Sequence, residues 1–231
     1  MMSTTRAADK NYRRQLIIGF TLIMLIIGGW FYYPLGYFLL VCMVMAMGLG
    51  IYKGRNWCDY LCPRGSFWDQ YLNRFSRKVK VPYFFRSAPF RILWLMILMT
   101  MLTINLLPIW GDFYKMGKPF VMILTVTTIV GLILGVIYHP RIWCMFCPMG
   151  TMANWLGRGK MPLKISSGCI NCGACEKVCR MQINPALYRE AGVVMHGDCL
   201  KCSYCVDTCP TQALSFNEVS KSETSRLASG A

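Results

Sequence analysis

Cysteines near the C-terminal end of this chain fall into two runs of one spacing: Cys169-x2-Cys172-x2-Cys175-x3-Cys179, then Cys199-x2-Cys202-x2-Cys205-x3-Cys209-Pro210. Thiolates at that spacing hold iron and sulfide. Three from a C-x2-C-x2-C loop wrap one side of a [4Fe–4S] cubane, and the cysteine after the x3 gap ligates the other cubane. The ligand sets are therefore expected to cross. Cluster I takes Cys169, Cys172, Cys175 and Cys209; cluster II takes Cys199, Cys202, Cys205 and Cys179. Crossing holds two one-electron centres close together. Gly168, Gly173 and Ser203 suit tight loops whose amides face sulfur. Arg180 stands where the pattern has proline, and Arg180 and Lys201 bring positive charge that favours a reduced cluster. Zinc sites use pairs of C-x2-C rather than a doubled four-cysteine run. A disulfide framework needs an oxidising compartment.

Four more cysteines lie in an internal repeat. Arg55-Asn-Trp57-Cys58-Asp-Tyr-Leu-Cys62-Pro63-Arg-Gly65-Ser66 is echoed by Arg141-Ile-Trp143-Cys144-Met-Phe-Cys147-Pro148-Met-Gly150-Thr151. Proline fits the first turn of a helix, which puts Cys62 and Cys147 near an N-cap. Amide donors and the positive dipole end lower a cysteine pKa there. Cys58, Cys62, Cys144 and Cys147 are thus candidates for a further metal or cluster site, or for redox dithiols; the plainer reading is structural thiols in a turn. Neither pair is followed by histidine as c-type haem attachment requires. Cys42 reads as a small apolar residue.

The elements that must carry these residues are membrane spans. The chain has 231 residues, 55% of them hydrophobic, and a net charge of +15; mean hydropathy is +0.39. Stretches 16–33, 35–52, 92–110 and 119–138 contain no Asp, Glu, Lys or Arg, and a helical span takes about 20 residues. Aromatic residues (Trp30, Tyr32, Tyr33, Trp57, Trp110, Trp143) sit near the span ends, as interface belts do. Basic residues bracket the spans, which fits a membrane surface better than nucleic acid. Arg6, Lys10, Arg13 and Arg14 precede the first span, which reads as an uncleaved signal anchor because no small-residue cleavage site follows before Pro34. Residues 53–91 carry nine basic residues and two acids, and Arg141, Arg158, Lys160 and Lys164 follow the fourth span. The positive-inside rule then places both termini, the central loop and the cluster-binding region on the cytoplasmic side of the inner membrane. Residues 66–81 alternate apolar and basic side chains at helical spacing and are expected to form an amphipathic helix on the leaflet.

What is missing narrows the chemistry. His139 and His196 are the two histidines and neither lies inside a span, so a bis-histidine membrane haem is excluded. No Rossmann fingerprint or P-loop is present. His139, in Tyr138-His139-Pro140, is a candidate acceptor of a quinol proton.

Taken together, four spans, Cys-Pro motifs after the second and fourth, and a two-cluster run resemble the NapH-type membrane subunit, the quinol dehydrogenase component associated with periplasmic nitrate reductase. Relatives of that layout occur among nitrous-oxide reductase accessory, methylamine-utilisation and copper-oxidase assembly proteins. The likeness spans roughly residues 10–215. The motif Cys58-x3-Cys62-Pro63 fits it, and Cys144-x2-Cys147-Pro148 is one residue shorter. The resemblance implies electron transfer between the quinone pool and a partner redox subunit. The alternative is an assembly factor that binds or reduces a metal through the membrane-face cysteines.

The expected fold is thus an α-helical membrane protein. It comprises an N-terminal segment 1–14, a membrane domain 15–165 of two repeated helical hairpins, a small α+β two-cluster ferredoxin domain 166–217, and a disordered tail 218–231. Expected cofactors are two [4Fe–4S] clusters, with quinone and a further metal or cluster in prospect. Expected partners are membrane lipid, quinone and redox subunits, not nucleic acid.

Overall fold

The computed structural model describes residues 2–157 and 159–216, with side chains from residue 13 onward. The tail expected at 218–231 and Arg158 of the basic flank lie outside the described residues. In chain order the first helices are α1 (Met2–Phe31), α2 (Phe38–Lys53), α3 (Trp57–Tyr60), α4 (Pro63–Phe67), α5 (Ala88–Leu106), α6 (Gly117–Ile137), α7 (Ile142–Phe146) and α8 (Pro148–Leu156). Four stretches, Arg13–Phe31, Tyr33–Leu72, Ala88–Ile109 and Gly117–Ile137, are long and apolar enough to cross a membrane. Their composition explains why they are helices. Within them, 16–33, 35–52, 92–110 and 119–138 carry no charged side chain, and in such an apolar run every backbone N–H and C=O must be paired within the segment. Threonines follow the same rule: Thr103, Thr125, Thr127 and Thr128 each donate to the carbonyl four residues back.

Helix ends are set by particular residues. Pro89 lies in the first turn of α5, where its missing N–H is harmless. A 3₁₀ turn, Tyr33–Tyr37, starts the second stretch, so α2 begins later than residue 35. It ends at Gly54, whose φ of 61° and ψ of −139° suit glycine alone. The 3₁₀ turn also packs on α6 so closely that a Cβ at Gly117 would lie 2.0 Å from the Tyr33 carbonyl oxygen.

The segment 66–81 does not form the expected surface helix. Helical structure ends at Leu72 after a π-type turn, Trp68–Leu72. The chain then passes along the end of α6, with Arg77 N–H donating to Val136 O (3.2 Å) and Val79 N–H to Tyr138 O (2.8 Å). Trp68 and Leu72 point inward and are buried. They fill notches left by Gly131 and Gly135 of α6, where an added Cβ would meet the Trp68 ring at 2.9 Å and the Leu72 Cδ2 at 2.4 Å. The helical spacing of the apolar residues was real. Trp68 and Leu72 turn to protein, while Phe75 and Val79 stay exposed.

The C-terminal region holds a three-stranded antiparallel sheet of β1 (Leu163–Ile165), β2 (Val193–Val194) and β3 (Leu214–Phe216), in the order β2-β1-β3. Single-turn helices α9 (Ala174–Lys177) and α10 (Tyr204–Asp207) follow the two cysteine loops. The central strand precedes the boundary expected at 166. One continuous buried cluster runs from Trp68, Trp143 and Phe146 to Leu163, Met181, Leu200 and Leu214. Gln182 clamps the extended segment by accepting from Val81 N–H (2.9 Å) and donating to Val79 O (2.9 Å). The cysteine-rich region is therefore packed onto the helical part rather than tethered to it.

Candidate metal centres

The two cysteine runs fold into matching loops. Asn171 and Lys201, Gly173 and Ser203, and Gln182 and Gln212 occupy equivalent places and all have positive φ, between 50° and 72°. Such a backbone costs energy for non-glycine residues and persists where its surroundings over-determine it. The result is two cavities, each drawing three cysteines from one run and one from the other. Cys169, Cys172, Cys175 and Cys209 line the first. Cys179, Cys199, Cys202 and Cys205 line the second.

The residues present fit a cubane in each cavity. Apolar side chains (Ile170, Ala186, Leu214; Leu163, Ile183, Val194) close the walls. Backbone amides turn toward sulfur: Ile183 N–H donates to Cys179 Sγ at 3.3 Å. Amides of Ala186, Lys201, Tyr204 and Val206 pull the thiols of Cys175, Cys199, Cys202 and Cys205 down in turn, against the larger upward push of burial. Burial pushes the Cys205 thiol up to about 12. At Cys209 burial also pushes upward, but the Thr211 hydroxyl and three amides outweigh it and hold the thiol below its ordinary value. Sulfurs placed like Cys205 lose their protons to a metal rather than to water at neutral pH.

The Cys-Pro motifs come together at one end of the helices. Cys62 and Cys147 are N-caps followed by Pro63 and Pro148, and Gly65 N–H approaches Cys62 Sγ at 3.5 Å. Cys147 has no such bond. Burial pushes the Cys144 thiol up to about 11 despite the pull of Arg141.

The repeated arginine is what joins the two motifs, a role that sequence reading did not assign. Arg55 of the first motif donates to the carbonyl of Cys144 in the second, and Arg141 of the second donates to the carbonyl of Cys58 in the first (2.9 Å). Both side chains are fully buried. Each passes beneath the glycine that follows the opposite Cys-Pro. A Cβ on Gly65 would meet Cys58 O at 2.6 Å, and one on Gly150 would meet Arg55 Nη2 at 2.6 Å.

Their remaining donors reach carboxylates. Arg55 and Arg91 grip the two oxygens of Asp198, at 2.7 and 2.6 Å. Burial raises the Asp198 pKa, but the two guanidiniums outweigh it and hold it below the usual carboxylate range. Arg141 forks onto Asp69 and also reaches Asp59. Arg180 bridges Asp59 and Asp69 and lies over the Tyr204 ring at 4.2 Å. Arg180, the departure from the cysteine pattern, thus fastens the cluster loop to the Cys58 turn. Asn56 Nδ2 adds a bond to Lys201 O (3.3 Å).

Arg64 breaks the repeat, standing where the second half has Met149. It donates to Leu124 O, Thr127 Oγ1 and Thr128 Oγ1. Its Nε is buried and without a partner among the described residues. Two apolar grooves meet at it. One, of about 750 Å³, runs between α2, α5 and α6; the other, of about 560 Å³, runs between α1 and α2. Cys147 lines both and Cys62 the second.

His139 lines neither groove. It sits past the end of α6 and its Nδ1 accepts from Arg141 N–H at 3.2 Å. Burial lowers its pKa from 6.5 to about 4 against the opposing pull of Asp69. The unfolded chain then takes up protons first as pH falls, so stability declines below the unfolded pKa and levels off near the folded one. We expect roughly 2 kcal/mol to be lost between pH 7 and pH 5 from this group. Thermal unfolding of His139→Gln should show a flatter acid slope; an unchanged slope removes the assignment.

These features define an iron–sulfur protein of the ferredoxin type that carries membrane-length helices. A model described as a 4Fe-4S binding domain matches the chain twice, at 35–82 and 119–166, and a 4Fe-4S dicluster domain matches 168–214. Two uncharacterized proteins of Methanocaldococcus jannaschii are similar. One is 23% identical over 192 residues, covering 79% of this chain and 72% of its own. The other is 23% identical over 197 residues, covering 78% and 79%. No solved structure matches the chain.

Proposed function

We propose that this chain is a membrane electron-transfer subunit that exchanges electrons between the quinone pool and a partner redox protein. Cys169, Cys172, Cys175 and Cys209 would hold one cubane, and Cys179, Cys199, Cys202 and Cys205 a second. Bound there, the clusters supply one-electron chemistry. The chain's own residues bury them, face amides to their sulfurs and bind them to the helical end through Arg180 and Asp198. The cysteine-bearing end lies in the cytoplasm by the distribution of Lys and Arg.

The observation that carries the quinone reading is the pair of apolar grooves between the long helices that meet at Arg64. An apolar groove suits an isoprenoid tail, and a buried guanidinium with an unpaired N–H suits a ring carbonyl. Arg64 takes the headgroup role first given to His139. The test is reduction of the clusters by a quinol analogue in detergent or nanodiscs, with the partner added. Arg64→Met should raise the quinol concentration needed by at least tenfold while iron content stays the same. If quinol leaves the wild-type clusters oxidised with the partner present, the reading fails.

The second reading, an assembly factor handling a metal, rests on the clustered Cys58, Cys62, Cys144 and Cys147. It is favoured if serine at these four positions abolishes partner maturation while quinol oxidation persists.

A further inference from the structure

We infer that Cys58, Cys62, Cys144 and Cys147 together form one iron–sulfur site, shared by the two halves of the membrane domain. Two cysteines per motif are too few for a cubane, which takes four thiolates. The crossed arginines bring the pairs to one place. Arg141 Nη1 bonds Cys58 O and lies 3.9 Å from Cys144 Sγ. Cys62 and Cys147 line the same groove. Cys58 and Cys144 share one buried cluster, with Cys147 packed against it.

Charge specifies what the site takes. Arg55, Arg91, Arg141 and Arg180 pair with Asp59, Asp69 and Asp198, and Arg64 reaches only a carbonyl and two hydroxyls. These five arginines and three aspartates leave a surplus of two positive charges. Unbalanced buried charge is costly. Four neutral thiols do nothing for it, whereas four thiolates on an oxidised cubane carry about −2.

A zinc bound by the same four thiolates at about 2.3 Å would carry the same charge, and metal analysis separates the two. All four cysteines are free thiols, not disulfides.

The test is iron and acid-labile sulfide in the full chain, purified and reconstituted without oxygen. Wild type should hold roughly 12 iron atoms, and Cys58→Ser/Cys147→Ser roughly 8 with the spectra of the other two clusters retained. Native wild type should also protect Cys58, Cys62, Cys144 and Cys147 from alkylation until iron is stripped, a readout that needs no variant. Roughly 8 iron atoms in wild type with these thiols open to reagent overturns the inference, as does stoichiometric zinc. Neither arm uses quinol, so failure of the quinone reading would leave the count untouched.

Discussion

Arg141→Ala is expected to dismantle the junction between the long helices and the cysteine-rich region. The side chain is fully buried and holds Asp69, Asp59 and the Cys58 carbonyl at once. Removing it leaves two carboxylates with Arg180 alone, and Arg180 is partly exposed. Breaking a buried pair from one side typically costs 3–5 kcal/mol. Lysine should restore little, since it cannot present the fork that meets both Asp69 oxygens and the carbonyl. Arg55→Ala should be milder, because Asp198 keeps its bond to Arg91. Unfolding in detergent with graded denaturant checks the order. A loss at Arg141→Ala under about 1 kcal/mol would sink the assignment of this residue as the central brace.

The second large effect is expected when iron is removed. The C-terminal sheet has strands of only two or three residues. Its loops hold non-glycine residues at positive φ, and small units of this kind need a metal to fold. Oxidative stripping of iron with a chelator should therefore open residues 166–216 to limited proteolysis. The change should spread. Asp198 and Arg180 belong to that region and also anchor Arg55, Arg91, Asp59 and Asp69. Cleavage in 54–82 should therefore rise, while α5 and α6 stay intact. An iron-free protein with the holo cleavage pattern would show that the fold stands without its clusters.

The sequence could be read furthest where one residue type in one spacing dictates the outcome. The cysteine runs, the four apolar stretches and the repeated Arg-x-Trp-Cys motif were of that kind. Residues 66–81 were legible in period and not in direction: helical spacing says that one face is apolar, and it does not say whether lipid or Gly131 and Gly135 receive it. The arginines failed differently. Positively charged residues flanking spans read as a solvated face, and most are; Arg55 and Arg141 are buried because each meets carbonyls and carboxylates 72 to 143 residues away, a distance no local pattern encodes. The one available signal was that both begin the repeat, where a topology signal would not need a fixed position. The two-cluster region was expected from its cysteine spacing, and a dicluster domain matches it at 168–214; what the spacing did not announce is that Arg180 and Asp198 tie it into the core.

The exchange of arginines between the motifs has the form of a two-fold interface, in which each partner gives what it receives. Either motif alone would leave its own arginine without the opposite carbonyl that it bonds. The two motifs together have all the parts of the finished junction. The chain thus has the anatomy of a dimer whose subunits were fused, and during synthesis the first half must wait in the bilayer, unfinished, until the second arrives.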